Sequence, residues 1–221
     1  MLQARQVTRS YGELQVLKGI DLEIKSGEIV SIVGASGAGK STLLHILGTL
    51  DRPDAGQVFL NGQEVTALNT NGLAQFRNRH IGFIFQFHNL LAEFTALENV
   101  CIPAWIGSNQ KGRADEATIR QRATDLLGRL GLSDRLDHLP SELSGGEQQR
   151  TAVARALINQ PSIIFADEPS GNLDSRNAQE LHRLFFQLRD ELGHTFVIVT
   201  HNEELARMAD RQLEMSDGRM L

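Results

Sequence analysis

Residues 29–44 read IVSIVGASGAGKSTLL, and this stretch decides the fold. Ile29–Val33 is a short apolar run of the kind that forms a buried strand, and the residues after Lys40 have the spacing of a helix with one apolar face. Between them the chain fits the pattern G-x-x-x-x-G-K-[ST], whose glycines let the backbone wrap closely around phosphate oxygens. A strand, this loop and a helix in that order predict a nucleoside triphosphate site.

The residues of this loop have separate expected tasks. Backbone N–H groups are expected to face the phosphates, Lys40 to reach the β- and γ-phosphates, and Ser41 to give its hydroxyl oxygen to Mg²⁺. The dinucleotide fingerprint G-x-G-x-x-G is absent from the loop, which argues against NAD-type ligands. The residues predicted to bind the nucleotide here are Gly34, Ala35, Ser36, Gly37, Ala38, Gly39, Lys40, Ser41 and Thr42.

A second apolar strand ends in two carboxylates. In SIIFADE, Ile163–Ala166 is apolar, so Asp167 and Glu168 emerge where the strand ends, and α/β sheets bind ligands at the carboxyl ends of their strands. We expect Asp167 to hold the Mg²⁺ shell and Glu168 to orient or deprotonate the attacking water. An acidic pair of this kind taken alone is typical of a solvated loop or a helix cap, and the phosphate loop upstream favours the functional interpretation.

Two polar side chains end other apolar strands. His201 closes FVIVTH, which is expected to bring its imidazole beside the γ-phosphate. Gln86 lies at the end of IGFIFQF, a strand expected over Ile81–Phe87, and offers an amide oxygen to Mg²⁺ or to water. The catalytic residues predicted on this basis are Glu168, His201 and Lys40, and the predicted metal ligands are Ser41, Gln86 and Asp167.

The stretch SELSGGEQQRTAVARAL, residues 141–157, is a paired-glycine turn that opens an amphipathic helix. The start of such a helix is suited to an anion. One chain already surrounds its triphosphate with the first loop, so a second site gains a purpose when two chains meet head to tail and each closes over the other's ATP. Ser144, Gly145 and Gly146 would then bind the γ-phosphate. The alternative is a capping box between Ser144 and Glu147, with no ligand.

The composition is that of a globular chain with no strong charge bias. The 221 residues are 41% hydrophobic, and 22 basic against 27 acidic residues give a net charge of -5, which argues against a nucleic-acid partner. The single cysteine, Cys101, excludes an intrachain disulfide and is expected to be a buried structural thiol. The N-terminus lacks the apolar segment of a secretory signal, and no apolar run has the roughly 20 residues of a membrane span. These features predict a soluble cytoplasmic chain.

Strands alternate with helices at both ends of the chain, which predicts an α/β fold with a mostly parallel sheet core. The strands before residue 62 predict an antiparallel β part at the N-terminus, with a hairpin turn at Asn61-Gly62. A helical middle, about 87–150, is interpreted as an insertion. We therefore expect a single domain over 1–221.

These motifs together resemble the ATP-binding cassette (ABC) ATPases over essentially the whole chain and in the order of that family. The resemblance implies a P-loop NTPase fold of ABC type with a helical subdomain. It also implies a Walker A loop at Gly34–Thr42, a Walker B pair at Asp167 and Glu168, and a signature motif at Leu143–Gln148. Further implied roles are adenine stacking for Tyr11, the Q-loop for Gln86, the D-loop for Asp174 and the switch histidine for His201. Glu147 stands where the family more often has glutamine, and GNLD replaces the commoner SALD.

Within the family, FQFHNLLAEFTALENV, ADEPSGNLD and RQLEMSDGRML resemble the ATPase subunits of bacterial lipoprotein-releasing complexes. Macrolide-export ATPases and cell-division ATPases that act as nucleotide switches share GNLD and stay open as alternatives. The resemblance implies an ATP-dependent homodimer on the cytoplasmic face of the inner membrane, with ATP and Mg²⁺ as cofactors. Two integral membrane subunits would be contacted through residues 86–97, where five apolar side chains either face a partner helix or pack the helical subdomain: Phe87, Leu90, Leu91, Phe94 and Leu97.

Overall fold

The computed structural model describes residues 1–108 and 114–221. Their strands form two sheets, one of four strands and one of six. The smaller sheet is antiparallel and contains β1 (Leu2–Tyr11), β2 (Leu14–Ile24), β4 (Ala55–Leu60) and β5 (Gln63–Glu64), in the order β2-β1-β4-β5. The predicted antiparallel N-terminal part is confirmed.

The larger sheet is parallel except at one edge. It contains β3 (Ile29–Val33), β6 (Ile81–Phe85), β7 (Ile163–Asp167), β8 (Thr195–Val199), β9 (Arg211–Ser216) and β10 (Arg219–Met220), in the order β10-β9-β3-β8-β7-β6. Only the pairing of β10 with β9 is antiparallel among its described strands. The central strands are buried on both faces, which is why they read as continuous apolar runs in the sequence.

Helices cover the larger sheet and fill the middle of the chain. They are α1 (Lys40–Leu47), α2 (Thr70–His80), α3 (Ala96–Ser108), α4 (Glu116–Arg129), α5 (Gly145–Leu157), α6 (Ser175–Leu192) and α7 (Glu203–Met208), with single 3-10 turns at Ser133–Arg135 and Pro140–Glu142. One apolar cluster joins the smaller sheet and α1 to one face of the larger sheet. A second cluster joins α3 to α6 with the other face. The predicted mostly parallel α/β core is confirmed.

Three local features refine the sequence predictions. The turn at Asn61-Gly62 has φ angles of 52° and 79°, as the predicted hairpin requires. The strand expected to reach Phe87 ends at Phe85, and Gln86 lies in the bend that follows it. Helix α2 was not predicted, because only Leu73 and Phe76 of its residues are buried and its apolar stripe is correspondingly thin.

Cys101 is completely buried on α3, as predicted for a structural thiol. Burial raises the pKa of its thiol to about 11. Because the reactive form of cysteine is the thiolate, this side chain is unreactive at neutral pH in the folded chain. Its contribution is to the packing of the second apolar cluster.

Candidate functional site

The predicted site residues from four parts of the chain meet at one edge of the larger sheet. In the register of the parallel strands, Phe85 pairs with Asp167, Asp167 with Val199, and Val199 with Ile32. The residues that follow these positions therefore lie side by side beyond the carboxyl ends of the strands. This is the edge at which open α/β sheets bind their ligands.

The glycine-rich loop connects β3 to α1 in the conformation that its composition predicts. Gly34, Gly37 and Gly39 have φ angles of 146°, 80° and 100°, which L-residues with a side chain rarely adopt. Its middle residues, Ala35 to Gly37, are exposed, whereas Ala38 is buried. The Lys40 ammonium donates hydrogen bonds to the carbonyl oxygens of Gly34 and Ala35, each at 2.9 Å. The cation of the loop is thus held against the loop itself, at the start of α1.

Neighbouring strands fix the shape of this loop. A Cβ atom on Gly34 would lie 2.0 Å from the carbonyl oxygen of Met215 in β9, and one on Gly39 would lie 3.1 Å from a methyl carbon of Leu17 in β2. The backbone N–H of Gly218 donates to the carbonyl oxygen of Ala38. The loop is preorganised because both sheets pack against it.

Ser41 and Asp167 form an oxygen-rich pair beside the loop. The hydroxyl of Ser41 donates to Asp167 Oδ1 at 3.1 Å, and His45 Nε2 lies 4.0 Å from Asp167 Oδ2. Burial raises the pKa of Asp167, and the bond from Ser41 opposes that effect. A hydroxyl and a carboxylate are oxygen donors of the kind that Mg²⁺ takes, and a cation would offset the cost of burying this charge. The two residues therefore fit a magnesium site.

Glu168 and His201 face each other directly. Glu168 Oε2 lies 2.9 Å from His201 Nδ1 and also accepts the backbone N–H of His201 at 3.2 Å. The backbone of Glu168 has a φ of 45°, which is uncommon for a residue with a side chain. Its N–H is bonded to the carbonyl oxygen of Val199 at 2.9 Å. The last residue of β8 therefore holds the backbone of Glu168, and His201, two residues later, holds its carboxylate.

Gln86 lies beside the segment that follows Glu168. Its Nε2 donates to Asn172 Oδ1 at 3.2 Å, and Asn172 Nδ2 donates to the carbonyl oxygen of Gln86 at 3.1 Å. A Cβ on Gly171 would lie 2.9 Å from Gln86 Nε2. The amide of Gln86 is thus engaged by residues 171–172, and the structure gives it no contact with Ser41 or Asp167 within the described hydrogen bonds.

The capping box that the sequence offers as the alternative at the start of α5 is present. Ser144 Oγ accepts the N–H of Glu147 at 3.3 Å, and Glu147 Oε2 accepts the N–H of Ser144 at 2.8 Å. Arg135 Nε donates to Glu147 Oε1 at 2.9 Å. The hydrogen bonds from Ser144 and then Arg135 lower the pKa of Glu147 to about 2. This cap leaves Ser144 and Gly145 exposed.

The two glycines of this turn differ in their surroundings. A Cβ on Gly145 would lie 3.8 Å from Leu173, an ordinary contact, whereas one on Gly146 would lie 2.4 Å from Asn177 Oδ1. Asn177 also donates to Asp174, the exposed N-cap of α6, through its backbone at 2.9 Å and its side chain at 2.7 Å. These bonds lower the pKa of Asp174. A side chain at 146 would therefore displace the Asn177 side chain, and one at 145 would displace nothing.

Tyr11 lies at the end of β1 and is 50% exposed. Its hydroxyl donates to Asp51 Oδ2 at 3.0 Å, and the Arg9 guanidinium carbon lies 4.9 Å from the ring centroid. The ring is held in one orientation by these two neighbours while half of its surface stays accessible. Such a surface is suitable for stacking a planar base.

Three apolar side chains of residues 86–97 are exposed: Phe87, Leu91 and Phe94, at 70%, 46% and 37%. Leu97 instead packs against the second apolar cluster. Nearby, Ile106 of α3 is also 70% exposed. The packing interpretation thus applies to Leu97, and contact with a partner helix stays a prediction for the three exposed side chains.

Gln149 was missed by the sequence analysis. It is completely buried on α5 and donates to the carbonyl oxygens of Pro169 at 2.7 Å and Phe85 at 3.4 Å. These two residues adjoin Glu168 and Gln86. It lies between Gln148 and Arg150 in an amphipathic helix, so the sequence gave no signal that its amide faces inward.

Comparison with known proteins gives concordant results. The family model described as ABC transporter matches residues 17–171. The chain is 61% identical over 218 residues, 99% of its length and 97% of the relative's, to a protein of Cytophaga hutchinsonii named lipoprotein-releasing system ATP-binding protein LolD. It is 60% identical to the protein of that name from Bacteroides thetaiotaomicron, over 99% of this chain and 98% of the relative.

Two solved structures have the same fold over the whole chain. The dimeric structure of MJ0796, a bacterial ABC transporter cassette, has a TM-score of 0.90 at 41% identity, covering 100% of this chain and 96% of that one. The dimeric post-hydrolysis state of the same cassette, bound to ADP and Pi, has a TM-score of 0.89 at 40% identity, with the same coverage.

Proposed function

Because the chain belongs to the ABC transporter family, as an ATP-hydrolysing subunit with the ABC-type P-loop fold, we propose that it powers the release of lipoproteins from a bacterial inner membrane. The observation that carries this proposal is identity of 61% and 60%, over nearly full length, to two proteins named for lipoprotein release. The convergence of Lys40, Asp167 and Glu168 at one sheet edge supports ATP as the energy source.

The arrangement of side chains supports a division of labour in ATP hydrolysis. Glu168 acts as the general base that takes a proton from the attacking water, because its carboxylate is fixed at the end of β7 by His201 and β8. The exposed imidazole of His201, held by that carboxylate, binds a γ-phosphate oxygen. Lys40 and the loop N–H groups stabilise charge on the β- and γ-phosphates.

Ser41 and Asp167 are the residues that would hold Mg²⁺, with Gln86 nearby as a further amide oxygen. The ion would neutralise charge on the phosphate oxygens during the transfer. The hydrogen bond from Gln86 to Asn172 makes the position of the Gln86 amide depend on the position of residues 171–172. Gln86 is therefore proposed to sense the D-loop segment as well as the nucleotide site.

Two copies of the chain are proposed to close over two ATP molecules. Ser144 and Gly145 are exposed, and α5 begins directly behind them, so the positive end of this helix faces outward. The capping box bonds the backbone N–H groups of Ser144 and Glu147, and it leaves the exposed Gly145 free to approach a ligand, whereas Gly146 is buried. Two solved dimers of similar cassettes support the same association.

The membrane partners are proposed to be two integral subunits that dock on residues 86–97. Phe87, Leu91 and Phe94 supply an exposed apolar surface immediately after Gln86, so docking and nucleotide chemistry are a few residues apart. No helix within residues 1–108 and 114–221 has the length and apolar character to cross a bilayer. We place the chain on the cytoplasmic face, held there by these subunits, as one cassette over 1–221 with a helical insertion at about 87–150.

The proposal is tested by purifying the chain from native membranes with its associated subunits and reconstituting them in liposomes that contain a labelled lipoprotein. Addition of ATP should transfer lipoprotein from the bilayer to a soluble acceptor, and the matched complex with Glu168→Gln should not. ATP hydrolysis without lipoprotein release, or ATP-dependent movement of a macrolide instead, would contradict the proposed substrate.

A further inference from the structure

His182 is a buried histidine that has no assigned role in nucleotide binding. It lies in the middle of α6, is 1% exposed, and its Nε2 is 3.0 Å from Ser170 Oγ, which is itself buried. Its Nδ1 has no hydrogen-bond partner in the part of the chain that the structure describes. Burial lowers the pKa of the imidazole, so the ring is neutral near pH 7.

The unpartnered Nδ1 indicates which nitrogen carries the proton. Buried N–H groups without an acceptor are rarer than buried acceptors without a donor. The proton therefore belongs on Nε2, which donates to Ser170 Oγ, and Nδ1 keeps its lone pair. An apolar side chain would fill this position without burying a nitrogen, so the histidine is costly for packing alone.

Ser170 belongs to the short segment between Glu168 and the N-cap of α6. The carbonyl oxygen of Pro169 is held from α5 by Gln149 at 2.7 Å, and the hydroxyl of Ser170 is held from α6 by His182 at 3.0 Å. Glu168 itself has a φ of 45° and is closed into a turn by the N–H of Gly171, 3.0 Å from its carbonyl oxygen. The backbone that follows the proposed base is thus anchored from two helices.

We propose that His182 is a positioning residue for ATP hydrolysis, which acts through Ser170 to keep the Glu168 carboxylate in place against His201. This inference rests on the proposed function, since Glu168 must be the base for its position to matter. The hydrogen bond that His182 makes is to Ser170 and not to Glu168 or His201. Its effect is to fix the segment 169–171, so that the uncommon backbone conformation of Glu168 is retained as the site turns over.

The first test compares His182→Leu with His182→Gln. Leucine fills the space without a donor, whereas the glutamine amide reaches a position similar to that of Nε2. We expect kcat for ATP to fall about 10- to 100-fold in His182→Leu, because displacement of a reacting group by about 1 Å can cost about 10²-fold. KM for ATP should be unchanged, and His182→Gln should recover most of kcat.

A double variant separates positioning from stability. Ser170→Ala leaves a buried N–H on His182 without an acceptor and should lower both Tm and kcat. Ser170→Ala with His182→Leu removes both polar groups, so Tm should return close to that of the unmodified chain while kcat stays low. Recovery of kcat together with Tm, or an unchanged kcat in folded His182→Leu, would overturn the proposal. If His182→Leu alone fails to fold, the double variant gives the decisive kcat.

Two controls in the same assay identify which claim has failed. Burial also lowers the pKa of His194. This residue directly precedes β8, so it lies at the amino ends of the parallel strands, and Glu168 lies at their carboxyl ends. His194→Leu should leave kcat unchanged, and a loss equal to that of His182→Leu would overturn the positional argument. Glu168→Gln should abolish turnover. If it does not, the assignment of the base is wrong, whereas loss in Glu168→Gln with full activity in His182→Leu contradicts only the role of His182.

Discussion

Oε2 of Glu168 accepts the backbone N–H of His201 at 3.2 Å and lies 2.9 Å from Nδ1 of the same residue. One carboxylate oxygen is therefore engaged by both the backbone and the side chain of His201, two residues after β8 ends. The bond also orients the imidazole, whose Nε2 faces outward because Nδ1 is occupied. The proposed general base and the proposed phosphate ligand thus lie next to each other, after two neighbouring strands.

Glu168→Gln should retain ATP binding and lose hydrolysis. The glutamine has the same shape and can still contact His201, but it cannot take a proton from water. Removal of a general base typically lowers the rate by about 10²- to 10⁴-fold. Single-turnover ATP hydrolysis and equilibrium binding of ATP measure the two steps separately, and a variant that hydrolyses at the unmodified rate would remove Glu168 from the mechanism.

Lys40→Ala should weaken ATP binding or hydrolysis at every site. Hydrogen bonds to two loop carbonyls hold Lys40 Nζ at the loop, and its positive charge therefore lies where the phosphates are expected to bind. Nucleotide titration and turnover measure the effect, with Lys25→Ala as the matched control, since Lys25 is an exposed lysine in the turn before β3. Unchanged binding and turnover in Lys40→Ala would contradict the nucleotide site itself.

Tyr11→Ala should weaken the binding of all adenine nucleotides to a similar degree, while Tyr11→Phe should be nearly neutral. The phenylalanine ring keeps the stacking surface and loses only the exposed bond to Asp51. Titration with ATP, ADP and AMP measures the effect. If Phe is as damaging as Ala, the hydroxyl and its bond to Asp51 carry the effect, and the stacking role is wrong.

Glu147→Gln should change how the stability of the chain depends on pH. The folded pKa of Glu147 is about 2, below its ordinary value of 4.5, so its charge stabilises the fold fully above about pH 4.5 and loses this effect as the pH falls towards 2. We expect the free energy of unfolding to fall by about 1 kcal/mol in the variant near pH 6, because a charged hydrogen bond becomes neutral. Urea unfolding from pH 3 to 6 should show this difference shrinking with acid. A difference independent of pH would contradict the assignment.

Gly146→Ala should destabilise the monomer, and Gly145→Ala should not. A Cβ at 146 would lie 2.4 Å from Asn177 Oδ1, so the Asn177 side chain must move and disturb its bond to Asp174, whereas a Cβ at 145 fits beside Leu173. The expected cost of overpacking at 146 is about 1–3 kcal/mol. Thermal unfolding without nucleotide compares the two variants directly. Equal Tm values would show that the contact with Asn177 is not rigid.

The sequence was sufficient to predict those parts of the molecule in which a local sequence pattern is typical of one local structure. The glycine-rich loop, the apolar strands and the capping box at Ser144 each have a local pattern, and each forms as predicted. Helix α2 has few buried residues and therefore no strong periodicity. Its cap at Asn69 was the available signal.

Contacts between segments that are far apart in the sequence could not be predicted from local sequence patterns. The bonds of Gln149 to Phe85 and Pro169, and of His182 to Ser170, join residues on different elements. In the sequence both are polar residues of amphipathic helices, a class that is usually exposed. Only the packing of α5 and α6 shows that they face the strand ends, so three-dimensional placement was needed to find them.

The association of two chains over ATP is the central claim, and light scattering measures it most directly. The Glu168→Gln chain has a monomer mass of about 24.4 kDa and should double it when ATP and Mg²⁺ are added. Glu168→Gln combined with Gly145→Asp should bind ATP as a monomer and stay at the single-chain mass, because a carboxylate would face the γ-phosphate. A double variant that dimerises with ATP as Glu168→Gln does would contradict the account, and the start of α5 would then be a helix cap alone.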